Sequence, residues 1–571
     1  MWRGVHRRAV STFSIQARLQ AGLLGGHADF TEKTTFFRRS HQPNVDYQTS
    51  AVMSLGLPKN TVLSTAQSVA QTYGEQHEWI ASASAAKPGF INVKLKDDWI
   101  AEHTVHVATR GVQPRRQDRP ENVLVDFASP NMGKELHVGH LRSSVLGDTI
   151  SNLLEFQGHA VSRISHVGDL GAAIATLIVQ ALDIQDNATH GLPRTFDETT
   201  TVSTLGQWYE RGKHRLGSSD VAFKAAVDET VLGLQRQDPK WQHPWELTCS
   251  ISRAAHQSLY QRLRVKVHER GEATYISMIP TVLSKLRAIA SESQGALCIF
   301  VDGPDKSPML VRKQDGGFLY ATTDLAALYS RVFGQSLHFR HLFEAAKLAG
   351  WLADRPVKLE HAGFGLVMGE DGTKLSSRKG GATTLGELLD QAALESQARS
   401  VVPNADHRAI GDAAVRYYEL AQHRERNYKF SFANVLNLKG NTAPYLMYAM
   451  ARLQGILRKA DLPHAASWAD YLAQHADATT ELQHASSTWH PNERALALVL
   501  GQFEDALIDT QTHWHPHLLA DYLFRVVTAF HSFYETCLVQ ANPSRLILCA
   551  ATDAVLRRGL HLLGIPSVDR M

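Results

Sequence analysis

Residues 129–148, SPNMGKELHVGHLRSSVLGD, place His137 and His140 one turn apart at what the apolar spacing predicts is the start of a helix. The start of a helix has unpaired backbone N–H groups and a partial positive charge, which attract phosphate. Imidazoles in this position can donate hydrogen bonds to phosphoryl oxygens that gain charge in a transition state. We therefore predict a phosphate-binding site, although two surface histidines on an amphipathic helix would give the same short pattern.

Two further residues of this segment suit the same chemistry. Gly139 has no side chain, so a flat nucleotide base has room to lie against the backbone there. Lys134, just before the histidines, adds a mobile positive charge.

A second cationic segment lies in residues 364–381, FGLVMGEDGTKLSSRKGG. It carries Lys374, Arg378 and Lys379 in a glycine-flanked loop that follows a predicted strand. A loop of this kind can close its cations over a triphosphate and open again to release products. A solvated basic turn is the simpler interpretation of the loop by itself.

The elements around the histidines predict an α/β catalytic region. A buried strand at residues 123–127, the helix after the turn and a second strand within residues 159–169 form a strand–helix–strand unit, which indicates a parallel sheet. A mostly helical insertion at about 175–293 separates this unit from further strands. Gly316 and Gly317 predict that one of these segments, PMLVRKQDGGFLY, turns back on itself as a hairpin.

The two ends of the chain have different patterns. Residues 90–95, FINVKL, alternate like a half-buried strand in an N-terminal α+β module. Residues 110–122 are rich in proline and charge and predict a linker. Beyond about residue 380 the apolar stripes predict an all-α region.

The composition limits the class of protein. With 571 residues the chain is too long for one core. Its four cysteines form no C-x-x-C pair, which argues against a zinc site or a disulfide framework. The net charge of +3 permits a polyanionic partner without requiring one, and no apolar run is long enough to span a bilayer.

The first residues predict targeting. Arg3, Arg7, Arg8 and Arg18 precede the first acid, Asp29, in an amphipathic stretch. This pattern is typical of an organellar transit peptide, cleaved before about residues 14 to 20. We expect the matrix of a mitochondrion rather than a plastid, and a basic first helix of a cytoplasmic protein is the alternative.

These segments together resemble the class I aminoacyl-tRNA synthetases. HVGH resembles their HIGH signature, and KLSSR (residues 374–378) resembles their KMSKS loop. The closer resemblance, over nearly the whole chain from about residue 14, is to the bacterial or organellar arginine–tRNA ligases. It rests on residues 129–148, on SHVGDLG, on GGFLYATTDLAAL (residues 316–328) and on residues 427–452.

The resemblance implies a fold, partners and site residues. It implies a Rossmann-like catalytic domain, an N-terminal tRNA-binding module and a C-terminal helical-bundle anticodon-binding domain of the DALR type. The partners implied are ATP with Mg²⁺, L-arginine and tRNA(Arg), with no membrane and no protein-bound structural metal, for a chain that we expect to be a monomer. The expected limits are 1–13 for the transit peptide and 14–110 for the N-terminal module. The catalytic domain is expected at 118–390 and the anticodon-binding domain at 400–571.

Individual roles also come from the resemblance. Lys134 resembles the lysine that replaces the second lysine of the KMSKS loop, since Ser377 stands at that place. The implied catalytic residues are Lys134, His137, Gly139, His140 and Lys374. The implied ATP-binding residues are His137, Gly139, His140, Lys374 and Arg378. The implied arginine-binding residues are Ser129, Asn131, His140, Tyr320, Asp324 and Gln335.

Physical reasoning agrees with an acidic arginine pocket, because a buried carboxylate can accept two hydrogen bonds from a planar guanidinium. Tyr320 and Asp324 are spaced i and i+4, so they face the same way if the segment is helical. The alternative is that Asp324 only caps the helix that follows it.

The resemblance has two small departures, at Val45 and Leu170, and one main break after Asp324. Ten residues, LAALYSRVFG, separate Asp324 from Gln335, where the family has the rest of a helix and a whole parallel strand. An exon missing from the gene model and a real deletion both explain this. A real deletion leads to a second hypothesis, a synthetase-like RNA-binding protein with impaired catalysis. A different class I ligase or a small nucleotidylyltransferase is a third, which the long helical tail and the LYATTD segment argue against.

Overall fold

The computed structural model divides the chain into two compact units, Met1–Arg116 with Asn437–Met571 (the terminal unit) and Gln117–Leu436 (the middle unit). The predicted site residues Gln335, Lys374 and Arg378, and the predicted transit segment 1–13, lie outside the described residues. The structure describes residues 14–26, 30–31, 35–40, 42–114, 119–186, 196–303, 306–331, 342, 344–351, 359–369, 372, 384–399, 406–460, 467–540 and 542–567.

The N-terminal part of the terminal unit is an antiparallel sheet with three helices. The sheet has the order β1-β2-β4-β3. The strand predicted at residues 90–95 is confirmed as β4, but four of its six residues are buried, because strands pair with it on both sides. The elements are α1 (Ile15–Gly26), β1 (Phe37–Arg39), β2 (Tyr47–Thr49), α2 (Val62–Gln76), β3 (Ile80–Ala86), β4 (Phe90–Leu95) and α3 (Asp97–Arg110).

The middle unit begins with the predicted strand–helix–strand. Strand β5 (Asn122–Asp126) pairs in parallel with β6 (Ala160–Ser165), and α4 (Val138–Phe156) connects them. Close packing is possible because a Cβ on Gly147 of α4 would lie 2.1 Å from the Phe127 ring.

Four helices follow as the insertion, α5 (Ala172–Asp186), α6 (Val202–Leu216), α7 (Val221–Gln235) and α8 (Pro239–Arg262). They share a core with Trp208 and Phe223 at its centre. The sequence predicted helix to about residue 293, but the sheet resumes earlier. Strand β7 (His268–Glu269) pairs in parallel with β6, and two residues are too few for a periodicity to show.

The remainder of the middle unit confirms the hairpin and corrects the all-helical prediction. Gly316 has a φ of 83°, and the Lys313 N–H donates to the Gly317 carbonyl at 2.9 Å. A parallel pair, β11 with β12, places a strand beyond residue 380. The elements are α9 (Ile279–Leu286), β8 (Ala290–Ser293), β9 (Ala296–Ile299), β10 (Met309–Arg312), α10 (Tyr320–Arg331), β11 (Val367–Met368), α11 (Leu385–Arg399), α12 (His407–Leu420), β12 (Tyr428–Lys429) and α13 (Phe432–Val435).

Buried ion pairs hold α4 in place. Asp148 of α4 accepts from Arg163 of β6 at 2.5 Å and from Arg416 of α12 at 2.6 Å. Arg142, one helical turn and a half earlier, donates to Glu419 of α12 at 2.6 Å. Removing one member of such a buried network leaves a charge uncompensated and destabilises the fold. Helix α12 therefore belongs to the middle unit, although the predicted boundary at residue 400 assigned it to the C-terminal domain.

The terminal unit is completed by helices packed on the N-terminal part. Arg494 donates to both carboxylate oxygens of Asp46 at 2.8 Å and to Asp97 at 2.6 Å. Every helix within the described residues is too short or too polar to span a bilayer. The elements are α14 (Ala443–Lys459), α15 (Trp468–Gln474), α16 (Ala476–Ala485), α17 (Pro491–Leu500), α18 (Phe503–His513), α19 (Pro516–Thr536) and α20 (Pro543–Leu562).

Candidate active site

The two predicted histidines form a reciprocal cap at the start of α4. The Gly139 N–H donates to His137 Nδ1 at 3.0 Å, and the His137 N–H donates to His140 Nδ1 at 3.1 Å. The ring centroids are 4.0 Å apart. Since each Nδ1 accepts a backbone hydrogen, the proton of a neutral ring is on Nε2, and both rings become Nε2–H donors.

Burial keeps His140 neutral. Desolvation, and after it the neighbouring His137 and His256, lower the pKa of His140 to about 3. A neutral imidazole at physiological pH donates one hydrogen bond without contributing a charge. The sequence predicted that phosphate would use the unpaired N–H groups of the helix, whereas the structure shows that two of the N–H groups at this end are already accepted by the imidazoles.

Gly139 has a local reason to be glycine. A Cβ there would lie 2.7 Å from Cε1 and 2.9 Å from Nδ1 of His137. The missing side chain therefore makes room for the His137 ring and its hydrogen bond, in addition to the predicted room for a base.

Helices α6 and α8 of the insertion hold the segment before the histidines. Ser252 accepts from the Gly133 N–H at 2.8 Å, and His256 Nε2 lies 2.8 Å from the Lys134 carbonyl. The Lys134 ammonium lies 4.1 Å from the centre of the Tyr209 ring. This backbone and this ammonium are therefore fixed by helices that are distant in sequence.

The turn after β5 has an unusual backbone. Ala128 and Ser129 have φ values of 70° and 44°, a region that side chains rarely adopt. Ser129 Oγ donates to Asp126 at 3.1 Å, and its N–H donates to Ser165 Oγ at 3.2 Å. Strain of this kind persists only where surrounding contacts fix it, and it is concentrated at functional sites.

Asn131 lies beside the segment that follows β6. It forms a parallel bridge with Gly168, and a Cβ on Gly168 would lie 2.2 Å from the Asn131 side-chain oxygen. Residues 165–168 thus contact Ser129 and Asn131 from one side.

The same segment reaches the predicted arginine pocket. His166 Nε2 lies 2.9 Å from an oxygen of Asp324, and the two side chains are only 14% and 12% exposed. Helix α10 begins at Tyr320, so Asp324 lies inside the helix. The alternative that Asp324 caps the helix is therefore wrong. Tyr320 shares the helix but is 65% exposed.

A second acid, Glu272, was not predicted from the sequence. Thr323 donates to it at 3.4 Å, and burial raises its pKa to about 7, with Asp324 and Asp169 adding to the rise and His166 opposing it. Asp169, whose pKa burial raises to about 6, accepts from the Ala273 N–H at 2.9 Å. Carboxylates that repel one another in this way would be stabilised by a cation. No signal in the sequence pointed to Glu272, because the short strand β7 that precedes it shows no periodicity and is defined only by its pairing with β6.

The described end of the cationic loop lies beside the histidines. Thr384 forms an antiparallel bridge with His137, and the Leu385 N–H donates to the Leu136 carbonyl at 2.8 Å. Residues 384 and 385, which follow the predicted cationic loop in sequence, therefore lie at the start of α4. The structure brings together Ser129, Asn131, Lys134, His137, Gly139, His140 and Asp324 around the ends of β5 and β6.

The comparisons with known proteins agree with this arrangement. Residues 104–432, more than half of the chain, match the family model described as tRNA synthetases class I (R), catalytic domain. Residues 446–571 match the DALR anticodon binding domain.

Relatives and solved structures match over the length of the chain. An arginine–tRNA ligase of Cyanothece sp. is 37% identical over 93% of this chain and 94% of its own. The chloroplastic/mitochondrial arginine–tRNA ligase of Arabidopsis thaliana is 37% identical over 86% of this chain and 79% of its own. The arginyl-tRNA synthetase structure from Plasmodium falciparum, 25% identical, has a TM-score of 0.76 and covers 99% of this chain and 100% of its own. They give no support to the alternative of an RNA-binding protein with impaired catalysis. The chain belongs to the arginyl-tRNA synthetases, the arginine–tRNA ligases of class I.

Proposed function

We propose that this chain activates L-arginine with ATP, forming arginyl-adenylate and pyrophosphate, and then transfers the arginyl group to the terminal ribose of tRNA(Arg). The observation that carries this proposal is the contact of one segment, residues 165–168, with both ends of the site. That segment touches the turn that leads to the histidine pair and also touches Asp324.

At the nucleotide end, His137 and His140 would donate from Nε2 to ATP, while Gly139 leaves room beside the helix start. Lys134 would supply a positive charge to the phosphates, and Lys374 and Arg378 would add theirs from the loop that returns at Thr384. Electrostatic stabilisation by such preorganised donors is commonly the largest catalytic contribution. Mg²⁺ would enter bound to the phosphates of ATP, as it usually does.

At the arginine end, Asp324 would accept the guanidinium, and Tyr320 and Gln335 would complete the side-chain pocket. Ser129, Asn131 and His140 would hold the amino and carboxyl groups. We add Glu272 to this set, because a second buried carboxylate next to Asp324 provides acceptors for the guanidinium fork. Lysine would leave some of these buried acceptors unpaired, which is costly and excludes it.

The terminal unit would bind tRNA(Arg), with the helices after Asn437 reading the anticodon and residues 14–110 contacting the remainder of the tRNA. We propose limits of 118–436 for the catalytic domain, since α12 and α13 belong to the middle unit. A monomer is sufficient for the proposed chemistry, because the residues named above come from one chain.

We propose an organellar location, in a mitochondrion or a plastid, from the arginine-rich first residues and from the Arabidopsis relative's name. The structure limits where cleavage would be tolerated. Ser14 donates to the buried Asp505 at 2.6 Å, and the Ala17 N–H donates to Ser14 Oγ at 3.0 Å. A mature N-terminus at or before Ser14 would preserve both bonds. Mass spectrometry of the protein from isolated organelles tests this, and an N-terminus after residue 14 would contradict it.

The activity is tested by pyrophosphate–ATP exchange with the purified full chain, each of the twenty amino acids and tRNA(Arg) present or absent. We expect exchange with arginine alone among the amino acids, and formation of arginyl-tRNA. A folded chain that activates no amino acid, or one other than arginine, would overturn the proposal. The messenger sequence across codons 325 to 340 should be read in parallel, to establish the chain that is tested.

A further inference from the structure

The side chain of Lys134 is held at both ends by the helical insertion. The backbone from which it extends is held by α8, since Ser252 accepts from the Gly133 N–H and His256 contacts the Lys134 carbonyl, both at 2.8 Å. At its tip, the ammonium lies over the face of Tyr209 at 4.1 Å from the ring centre. A lysine side chain has four flexible carbons, so a fixed tip requires a specific partner.

Tyr209 is itself firmly anchored. It lies on α6 beside Trp208, which is fully buried, and it packs against the core of the insertion. Its ring face therefore stays in one place. An aromatic face attracts an ammonium ion while leaving it fully charged and able to leave for a stronger partner, such as a phosphate. A carboxylate in this place would neutralise the lysine and compete with the phosphates.

We propose that Tyr209 is a positioning residue for Lys134, which holds the ammonium group at the edge of the ATP site. This inference rests on the proposed function, in which Lys134 supplies charge to the phosphates of ATP. It assigns a catalytic purpose to the insertion, since the ring that orients this cation is contributed by α6.

The first test compares Tyr209→Leu, which removes the ring, with Tyr209→Phe, which keeps the ring face and removes only the hydroxyl. We expect Tyr209→Leu to lower kcat for arginine activation about five- to thirtyfold, the range expected for a partly buried cation–π contact. The KM for arginine should change less than twofold. Tyr209→Phe should retain at least half of the wild-type rate. Equal losses in both variants, or no loss in Tyr209→Leu, would overturn the inference.

The second test separates positioning from folding. In a Lys134→Ala background, Tyr209→Leu should lower kcat less than twofold, because the cation it orients is gone. If Tyr209→Leu lowers kcat as strongly in this background as in the wild type, the ring acts by stabilising the fold and not by positioning Lys134. Phe223→Leu is the matched control, because Phe223 lies under Arg215 of the same insertion, also at 4.1 Å. We expect this control to leave kcat for arginine activation unchanged.

A third measurement does not depend on activity. Acetylation of the Lys134 amino group by an amine-reactive ester, with release of the ester's alcohol, reports how accessible this group is to the reagent and is followed by mass spectrometry of the full chain. We expect at least threefold faster labelling of Lys134 in Tyr209→Leu, and wild-type labelling in Tyr209→Phe. If the wild-type chain activates no amino acid, the proposed function fails, and this labelling still decides whether Tyr209 holds Lys134. Unchanged labelling in Tyr209→Leu would refute the contact.

Discussion

The two ends of the active site are built in different ways. The nucleotide end consists of neighbours in sequence, since His137, Gly139 and His140 cap one another at the start of α4. The arginine end collects His166, Glu272 and Asp324 from three separate segments. The first end offers imidazole donors and the cation of Lys134, and the second offers acids, which suits a polyanionic phosphate at one end and a cationic guanidinium at the other.

The two ends also differ in how burial changes the pKa values of their side chains. Burial lowers the pKa of His140 to about 3, so this imidazole stays neutral throughout the physiological range. Burial raises the pKa of Glu272 to about 7, so this carboxyl group is only partly ionised at neutral pH in the absence of substrate. His140 therefore has the same charge with or without its ligand, whereas Glu272 becomes fully ionised only when a cation binds beside it.

The largest effect is expected at the nucleotide end. His140→Ala removes one Nε2–H donor and the side chain that caps the His137 N–H. We expect the rate of arginine activation to fall about 10²–10³-fold, the usual loss for one preorganised donor to a developing anion. Pyrophosphate exchange measures this, with the exposed His214→Ala as the matched histidine control. A loss below tenfold would mean that His140 serves only as a cap.

The second-largest effect is expected at the arginine end and should leave ATP binding almost unchanged. Asp324→Asn keeps the shape of the side chain but removes the charge that faces the guanidinium. We expect kcat/KM for arginine to fall at least about a hundredfold, which corresponds to about 3 kcal/mol for a buried charge pair. The KM for ATP should stay within a factor of about two. Glu292→Gln, an exposed acid on β8, is the control, and an equal loss there would contradict the assignment.

A pH dependence should appear at the arginine end alone. Glu272 is neutral below its pKa of about 7, and a guanidinium favours the ionised form. The KM for arginine should therefore rise as the pH falls from 8 to 6, and approach a tenfold rise per pH unit below 7. The KM for ATP should be flat over the same range, because His140 does not titrate there. Glu272→Gln should remove the dependence, and a profile that survives this change would assign it to another group.

Protonation of Glu272 should have the opposite effect on folding, because it weakens arginine binding but stabilises the folded state. Its ordinary pKa is 4.5, so between about pH 4.5 and 7 the folded state binds more protons than the unfolded state. The free energy of unfolding should thus decrease as the pH rises through this window, and Glu272→Gln should weaken that decrease. Denaturant titrations at pH 5 and pH 7.5, in the absence of arginine, measure it.

The smallest effect concerns the glycine between the histidines. Gly139→Ala places a Cβ 2.7 Å from Cε1 of His137 and should break the hydrogen bond that orients this ring. We expect a rise of about fivefold in the KM for ATP, in line with the loss of a helix cap worth about 1 kcal/mol. The KM for arginine should stay unchanged. Gly206→Ala, where an added Cβ meets nothing within 4 Å, is the control on α6.

The parts of the fold with local periodicity were predictable. The strand at 90–95, the strand–helix–strand around α4 and the turn at Gly316 are confirmed, because each depends on residues near one another in sequence. Strands β7 and β12 were missed, since two residues are too short for an alternation to appear, and only pairing with a distant strand makes them strands.

Local sequence is enough to specify the histidine pair and its helix, because the cap is closed by residues within one turn, and it also identifies Asp324 as a candidate acid. Only the tertiary structure decided that Asp324 faces His166 and Glu272, that Tyr209 lies under Lys134, and that α12 secures α4 through Asp148. These contacts join residues from 52 to 268 positions apart, which no local pattern of apolar and polar residues specifies, and burial at such contacts changes the pKa values on which the chemistry depends.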